Sequence, residues 1–294
     1  MNLREYLAEQ TRRVEAALDR WTPAESTPPE TIHRAMRYSL FAGGKRIRPI
    51  LAIAAAHAVA EHPEGVEDAA CSLELVHTYS LIHDDLPALD NDDLRRGRPT
   101  CHKQFGEAMA ILAGDGLLTL AFQVLAEIPG VPGERRAQLA AELARAAGTV
   151  GGMIAGQVQD LEGEGQTPTP ALLERIHRAK TGALLKASVR MGAIYAGADE
   201  RQLAALSDYG SHVGLAFQIV DDLLDVEQPS EVLGKTAGKD AAQHKITFPA
   251  VYGLERSHQM AEEELRLALH SLESFDGRAD PLREIAGLIV HRRK

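Results

Sequence analysis

Two clusters of aspartates stand out for the chemistry they could do. Asp84, Asp85 and Asp90 close the stretch His77–Asp90 (HTYSLIHDDLPALD), and Asp221, Asp222 and Asp225 close Gly214–Asp225 (GLAFQIVDDLLD). In both, the preceding residues are largely apolar and recur at helical spacing, so each cluster should ride on a buried helix. Each apolar run also carries a polar stripe. His77, Ser80 and Asp84 fall at i, i+3 and i+7, and Gln218, Asp221 or Asp222, and Asp225 repeat the pattern. Buried polar groups are unfavourable unless paired or bound to metal. Asp221 and Asp225 lie one turn apart on the same face, and carboxylates so close repel unless a cation sits between them. Pro87 should kink or end the first helix and swing Asp90 back towards the Asp84–Asp85 pair. Hard oxygen donors of this kind suit Mg²⁺, which keeps some waters and completes its shell with phosphate oxygens. One acidic triplet in an acidic protein is usually a solvated face or a cap. Two of them, both on apolar helices with internal polar stripes, point to metal.

Cations lie near both clusters in sequence. Gly43-Gly44-Lys45-Arg46-Ile47-Arg48-Pro49 comes between two helical segments, where the glycines free backbone N–H groups and the cations can face an anion at a helix start. Taken alone it reads as an ordinary Gly-Gly turn with exposed cations. Arg95 and Arg96 follow the first acidic cluster, and arginine is shaped for bidentate phosphate recognition; in isolation that loop would read as solvated. Lys180-Thr181-Gly182 falls in the middle of a helix expected over 171–195. A mid-helix glycine there costs about 1 kcal/mol relative to alanine. Gly182 either loosens the helix, so that Thr181 and the backbone carbonyls face a ligand, or permits close helix packing. Gly234-Lys235-Thr236-Ala237-Gly238-Lys239-Asp240 is basic and follows the second cluster, but it lacks the Walker spacing, which excludes a nucleotide P-loop.

The elements that must position these groups are helices. Ala, Leu, Glu, Arg and Gln dominate, and apolar residues recur three and four apart, as at Leu3, Tyr6, Leu7, Val14, Ala17 and Leu18. No Asn-Gly or Asp-Gly hairpin signal is present. Breakers cluster at Pro23–Pro29, Pro129–Gly133, Gly163–Pro170 and Gln228–Gly238. Thr27 to Glu30 reads as a capping box, and Thr169-Pro170 as a helix start. The expectation is an all-α fold of about ten helices in one domain over residues 1–294, with two small bundles divided near Pro129–Gly133 as the alternative. The 294 residues are 45% hydrophobic and 25% charged, enough for a sizeable core. No apolar run is expected to reach the roughly 20 residues of a membrane span; Leu51–Ala60, interrupted by His57, is the longest candidate. The N-terminal residues read as an amphipathic helix rather than a signal peptide. Cys71 and Cys101 provide neither a disulfide framework nor zinc spacing, and a cytoplasmic location is expected. A formal net charge of −10 argues against nucleic acid. It also means that a site for anions needs local cations and bound metal.

These residues resemble the trans-isoprenyl diphosphate synthases, closest to the short-chain bacterial farnesyl diphosphate synthases. Seven stretches in the family's order carry the resemblance: GGKRIRP at 43–49, HTYSLIHDDLPALDNDDLRRGRPT at 77–100, GGMIAGQVQDL at 151–161, KTGALL at 180–185, GLAFQIVDDLLD at 214–225, GKTAGKD at 234–240 and KITFP at 245–249. Phe248 departs from the family's frequent tyrosine. The resemblance implies helices around a central cavity, a homodimer, and Mg²⁺ held by Asp84, Asp85, Asp90, Asp221, Asp222 and Asp225. It implies that Lys45, Arg48, His77 and Arg96 hold isopentenyl diphosphate, with Gly44 also among the substrate-binding residues. Arg95, Lys180, Lys235 and Lys245 would hold the allylic diphosphate, dimethylallyl or geranyl. Thr181 and Gln218 would sit by the allylic carbon that becomes positive.

Product length turns on the helix entering Asp84. The growing chain must extend along it, and Ser80 lies one turn before Asp84 on nearly the same face. Tyr79 beside it is large enough to close the tunnel, which favours farnesyl diphosphate over geranylgeranyl diphosphate. The basic C-terminal residues 291–294 are expected either to shield the occupied site or to fray. An HD-type metal phosphohydrolase would explain His83-Asp84 but leaves the second acidic cluster and GGKRIRP unused. A terpene cyclase needs no second basic pocket, and a non-catalytic subunit would be expected to lose its metal ligands.

Overall fold

The computed structural model describes residues 2–227 and 246–292. Its helices follow in the order α1 (Leu3–Trp21), α2 (Glu30–Leu40), α3 (Ile47–Val59) and α4 (Val66–Asp84). A two-stranded hairpin, β1 (Leu94–Arg95) and β2 (Arg98–Pro99), comes next. Then come α5 (Cys101–Phe105), α6 (Glu107–Glu127), α7 (Gly133–Ala147), α8 (Met153–Gly163) and α9 (Pro170–His177). A π-helical turn (Arg178–Gly182) joins α9 to α10 (Ala183–Ala196), which precedes α11 (Glu200–Glu227). The chain ends in α12 (Phe248–Tyr252), α13 (Leu254–Ser271), a 3₁₀ turn (Gly277–Ala279) and α14 (Asp280–His291). The all-α expectation holds.

The centre is α4, buried on nearly every side from Val66 to Tyr79, with its buried Asp68 and Glu74 paired to Arg20 and Arg46, as buried charges must be. It packs on α6 and α3, with α1, α2 and α10 alongside. Close helix crossings use glycine. A Cβ on Gly192 of α10 would lie 1.9 Å from the Ala52 carbonyl oxygen of α3. A second core joins α3, α10, α11, α13 and α14, where the fully buried Tyr209 donates its hydroxyl to the Leu282 carbonyl at 2.6 Å.

Three local expectations change. Thr27 does not cap α2; the helix begins at Glu30 with Pro29 as its N-cap and no side-chain cap bond. Pro29 disfavours helical dihedrals at Pro28 and so delays the start. Thr169, by contrast, accepts from the Leu172 N–H at the head of α9. The hairpin at 94–99 was not expected, because its turn uses Arg96-Gly97 rather than Asn-Gly. Both residues take positive φ, 54° and 73°, the backbone that tight hairpin turns require. Finally, α6 is long and apolar enough to cross a membrane by length and composition, which Leu51–Ala60 is not; 44% of its most apolar stretch is buried. It packs against α2, α4, α5 and α7 through residues such as Ala110, Ala113, Leu117 and Ala121, while Ile111 and Leu112 stay exposed.

Candidate active site

The first acidic cluster forms where α4 ends. Pro87 stops the helix, and the chain turns back so that the Asp90 N–H donates to the Asp84 carbonyl at 2.8 Å and the Asp92 N–H to the Asp85 carbonyl at 3.2 Å. The fold-back expected from the proline is present. Adjacent side chains on a helix point about 100° apart, and the pair divides accordingly. Asp85 is 2% exposed and clamped by Arg95, whose Nε donates to both carboxylate oxygens at 2.8 and 2.9 Å and whose Nη2 donates at 2.6 Å. Asp84 has no such clamp. Burial pushes its carboxyl up to about 6, Lys180 opposes that rise, and Asp90 and Asp85 add to it.

The second cluster, near the end of α11, divides in the same way. Asp222 is buried, accepting from Gln218 Nε2 at 2.8 Å and from the Phe248 N–H at 2.9 Å. Asp225 is buried too, whereas the Asp221 side chain is 49% exposed. The six carboxylates expected to hold metal thus differ in their surroundings within each cluster. Asp85 and Asp222 are held by short bonds from protein partners, Asp221 is half-exposed and met among the described residues only by Arg292 at 3.3 Å, and Asp84 lacks an arginine clamp. Among the described residues no three His, Cys, Asp or Glu side chains converge into a complete metal cage. The raised Asp84 carboxyl beside Asp90 is a donor set that a cation would relieve.

The two glycines of GGKRIRP shape the cation-rich side. Gly44 has φ 139°, and a Cβ there would lie 2.9 Å from the Arg96 guanidinium nitrogens, so bare backbone is what lets that side chain lie against it. Arg96 itself has φ 54°, a strained setting of the kind that persists at functional sites. Gly44→Ala is expected to displace Arg96 and weaken anion binding beside it, which calorimetric titration with inorganic diphosphate checks. Arg46 turns inward instead. It donates to Glu15 and Glu74 at 2.7 Å each and to the Leu40 carbonyl, with its side chain 1% exposed. Removing one partner of such a buried pair costs about 3–5 kcal/mol, so Arg46 is a strut for the loop. Lys45 is exposed, and the Arg48 Nε is buried with no protein partner. Burial and the charges of Arg48, Arg96, Arg95 and Arg46 hold the His77 imidazole neutral.

The KTG stretch becomes the π-helical turn, wedged between two glycines of neighbouring helices. A Cβ on Gly156 of α8 would meet the Lys180 backbone nitrogen at 2.1 Å, and one on Gly214 of α11 would meet the Gly182 Cα at 3.0 Å. The helix at Gly182 is both loosened into a π-helical turn and tightly packed. Lys180 Nζ donates to Asp160 Oδ2 at 2.6 Å. Asp160 lies inside the 151–161 stretch, yet nothing in the sequence gave it a partner. Beside it His177 stacks on Phe248 with centroids 5.3 Å apart, and burial pulls its imidazole down to about 4; a phenol at 248 is not needed for that packing.

Tyr79 is buried, its hydroxyl has no hydrogen-bond partner, and burial raises the phenol to about 12, with Asp84 adding to the rise. The Ser80 hydroxyl donates to the His77 carbonyl of its own helix at 2.9 Å. Near the C-terminus, Arg292 donates to the Phe217 carbonyl at 3.0 Å and to Asp221 Oδ1 at 3.3 Å, with its guanidinium 4.1 Å from the Phe217 ring centroid. The end of the chain thus reaches the second acidic cluster, which the sequence left open. Lys235 and Lys245 lie outside the described residues, as do the whole 228–238 breaker stretch and the 234–240 motif.

Two carboxylate clusters borne on buried helices, with guanidinium and ammonium groups beside them, make up the candidate site of this all-α scaffold. The chain matches the model of the polyprenyl synthetase family over residues 29–281 and belongs to that family. It is 47% identical to a farnesyl diphosphate synthase of Geobacillus stearothermophilus, over 99% of this chain and 98% of that one. It is equally identical, at 47%, to a chloroplastic geranylgeranyl pyrophosphate synthase of Arabidopsis thaliana, over 99% of this chain and 82% of that one. Among solved structures, the geranylgeranyl pyrophosphate synthetase of Pyrococcus horikoshii superposes with a TM-score of 0.90 at 29% identity, covering 99% of this chain and all of that one (100%). An FPP/GFPP synthase of Zymomonas mobilis gives 0.87 at 36% identity, covering 98% and 99%.

Proposed function

We propose that this chain, as one catalytic domain, condenses isopentenyl diphosphate with dimethylallyl and then geranyl diphosphate to give farnesyl diphosphate. The observation that carries the reading is that the cations are anchored in two sets. Arg96 lies against the bare backbone of Gly44, with the Arg48 Nε buried and without a partner among the described residues, whereas Arg95 is held by Asp85 and Lys180 by Asp160. Two groups of cations suit two diphosphates. Gly44, Lys45, Arg48, His77 and Arg96 are assigned to isopentenyl diphosphate, and Arg95 and Lys180 to the allylic one.

Asp84, Asp90 and Asp221, with Asp225, are the residues that would hold Mg²⁺, and Asp85 and Asp222 would orient their neighbours. Bound there, the metal would supply Lewis-acid stabilisation of charge on the departing diphosphate. Lys180 and Arg95 share that charge at a low-dielectric site. Thr181 and Gln218 face the allylic carbon as its bond to oxygen breaks. Arg48, Arg96 and the neutral His77 hold the second substrate so that its double bond meets that carbon. No side chain is assigned as base, because the released diphosphate is placed to take the proton. Tyr79 closes the tunnel at fifteen carbons; the twenty-carbon product is the alternative it tells against.

A homodimer is also proposed. Helix α6 leaves Ile111 and Leu112 exposed at 45% and 50%, an apolar face suited to a second copy. Leu112→Glu is expected to halve the mass measured by light scattering, and an unchanged mass would place the interface elsewhere. The function itself is tested by diphosphate release, which should require isopentenyl diphosphate, an allylic primer and Mg²⁺ together. Release with either substrate alone would contradict it.

A further inference from the structure

The Tyr79 ring, proposed above as the tunnel closure, is held by His83 of its own helix. His83 follows Tyr79 by four residues on α4, so the two side chains share a face. Their rings meet edge to face, with centroids 5.7 Å apart and planes 79° apart, an arrangement favoured between aromatic rings. The tyrosine hydroxyl makes no hydrogen bond of its own, so the phenol is oriented by packing.

The imidazole is fixed from its other side. His83 Nε2 lies 3.0 Å from the Ile111 carbonyl oxygen of α6. A carbonyl only accepts, so Nε2 carries the proton and donates. The ring fits there because α6 has no side chain at Gly114, where a Cβ would lie 2.1 Å from Nε2 and 2.5 Å from Cδ2. The metal and diphosphate assignments use neither residue. Helix α6 is thereby coupled to the tunnel-closing ring through one imidazole.

We propose that His83, seated on Gly114 and the Ile111 carbonyl, is a positioning residue for product length, holding the Tyr79 ring across the path of the growing chain. The proposal rests on Tyr79 being the closure, and it adds the residues that make the closure rigid. Gly114→Ala must displace the imidazole, the movable partner at that contact, and so frees the Tyr79 ring without altering Tyr79 or any aspartate.

The experiment sizes the products made from geranyl diphosphate and isopentenyl diphosphate by the wild type, Gly114→Ala, His83→Ala, His83→Gln and Tyr79→Ala. The expected result is that Gly114→Ala and His83→Ala add a twenty-carbon product, in smaller proportion than Tyr79→Ala does. His83→Gln keeps a donor for Ile111 but loses the ring edge, so it should also lengthen the product. Circular dichroism melts show which variants fold, and the ratio of twenty- to fifteen-carbon product is read only from folded protein. A merely structural role for His83 would lower the amount of product and leave that ratio unchanged. Lengthening with Tyr79→Ala alone overturns the inference and leaves the closure reading standing. Lengthening with none of the variants overturns both.

Discussion

Asp84→Ala is expected to lower turnover on the order of a thousandfold, the loss seen when a group that stabilises transition-state charge is removed, with the melting temperature retained. The expectation follows from the way the first cluster divides. Asp84 is the carboxylate that burial and its acidic neighbours push up to about 6, so it is the one that gains most from a cation. Asp85 is already neutralised by three short bonds from Arg95. Asp85→Ala should therefore act chiefly by releasing Arg95, raising the KM of the allylic substrate and lowering turnover less than Asp84→Ala does. Metal titration of both variants by calorimetry, with kcat measured alongside, separates the two cases. Equal losses of metal affinity would mean that the carboxylates share the metal, against the division seen here.

Arg48→Ala and Lys180→Ala are expected to damage opposite substrates. Arg48 has a buried Nε with no protein partner, beside a neutral His77, and removing it should raise the KM for isopentenyl diphosphate by about tenfold to a hundredfold, as losing a charge-assisted hydrogen bond of roughly 1.5–3 kcal/mol would. Lys180 is held by Asp160 at 2.6 Å and acts on Asp84, so its loss should fall on the allylic KM and on kcat. Varying one substrate at saturating levels of the other distinguishes them. If both variants raise both constants equally, the cations form one pool rather than two pockets.

What was legible in the sequence was whatever one dihedral preference or one period decides. Pro87 forces the fold-back that brings Asp90 to Asp84, and the apolar period fixes α4 and α11 as buried helices. What was not legible is the sense of rotation between neighbours of the same chemical type. Asp84 and Asp85 are interchangeable in composition, and only packing decides that Arg95 clamps Asp85 and not Asp84. The hairpin escaped notice because arginine rarely takes the left-handed backbone that Arg96 adopts against Gly44. Gly182 presented loosening and close packing as alternatives. The π-helical turn satisfies both, because Gly156 and Gly214 on separate helices press on it from different elements. Asp160 and Arg292 needed the fold itself: each meets its partner, Lys180 or Asp221, only after distant helices dock.

The central claim is that the chain builds a fifteen-carbon diphosphate from two diphosphate substrates. Its most direct test is one set of incubations of the purified protein with labelled isopentenyl diphosphate, Mg²⁺ and each allylic primer, followed by sizing of the dephosphorylated products. The account predicts label in a fifteen-carbon alcohol from both dimethylallyl and geranyl diphosphate, and none when farnesyl diphosphate is the primer. Extension of farnesyl diphosphate to twenty carbons would contradict the tunnel closure at Tyr79, and absence of label with every primer would contradict the activity itself.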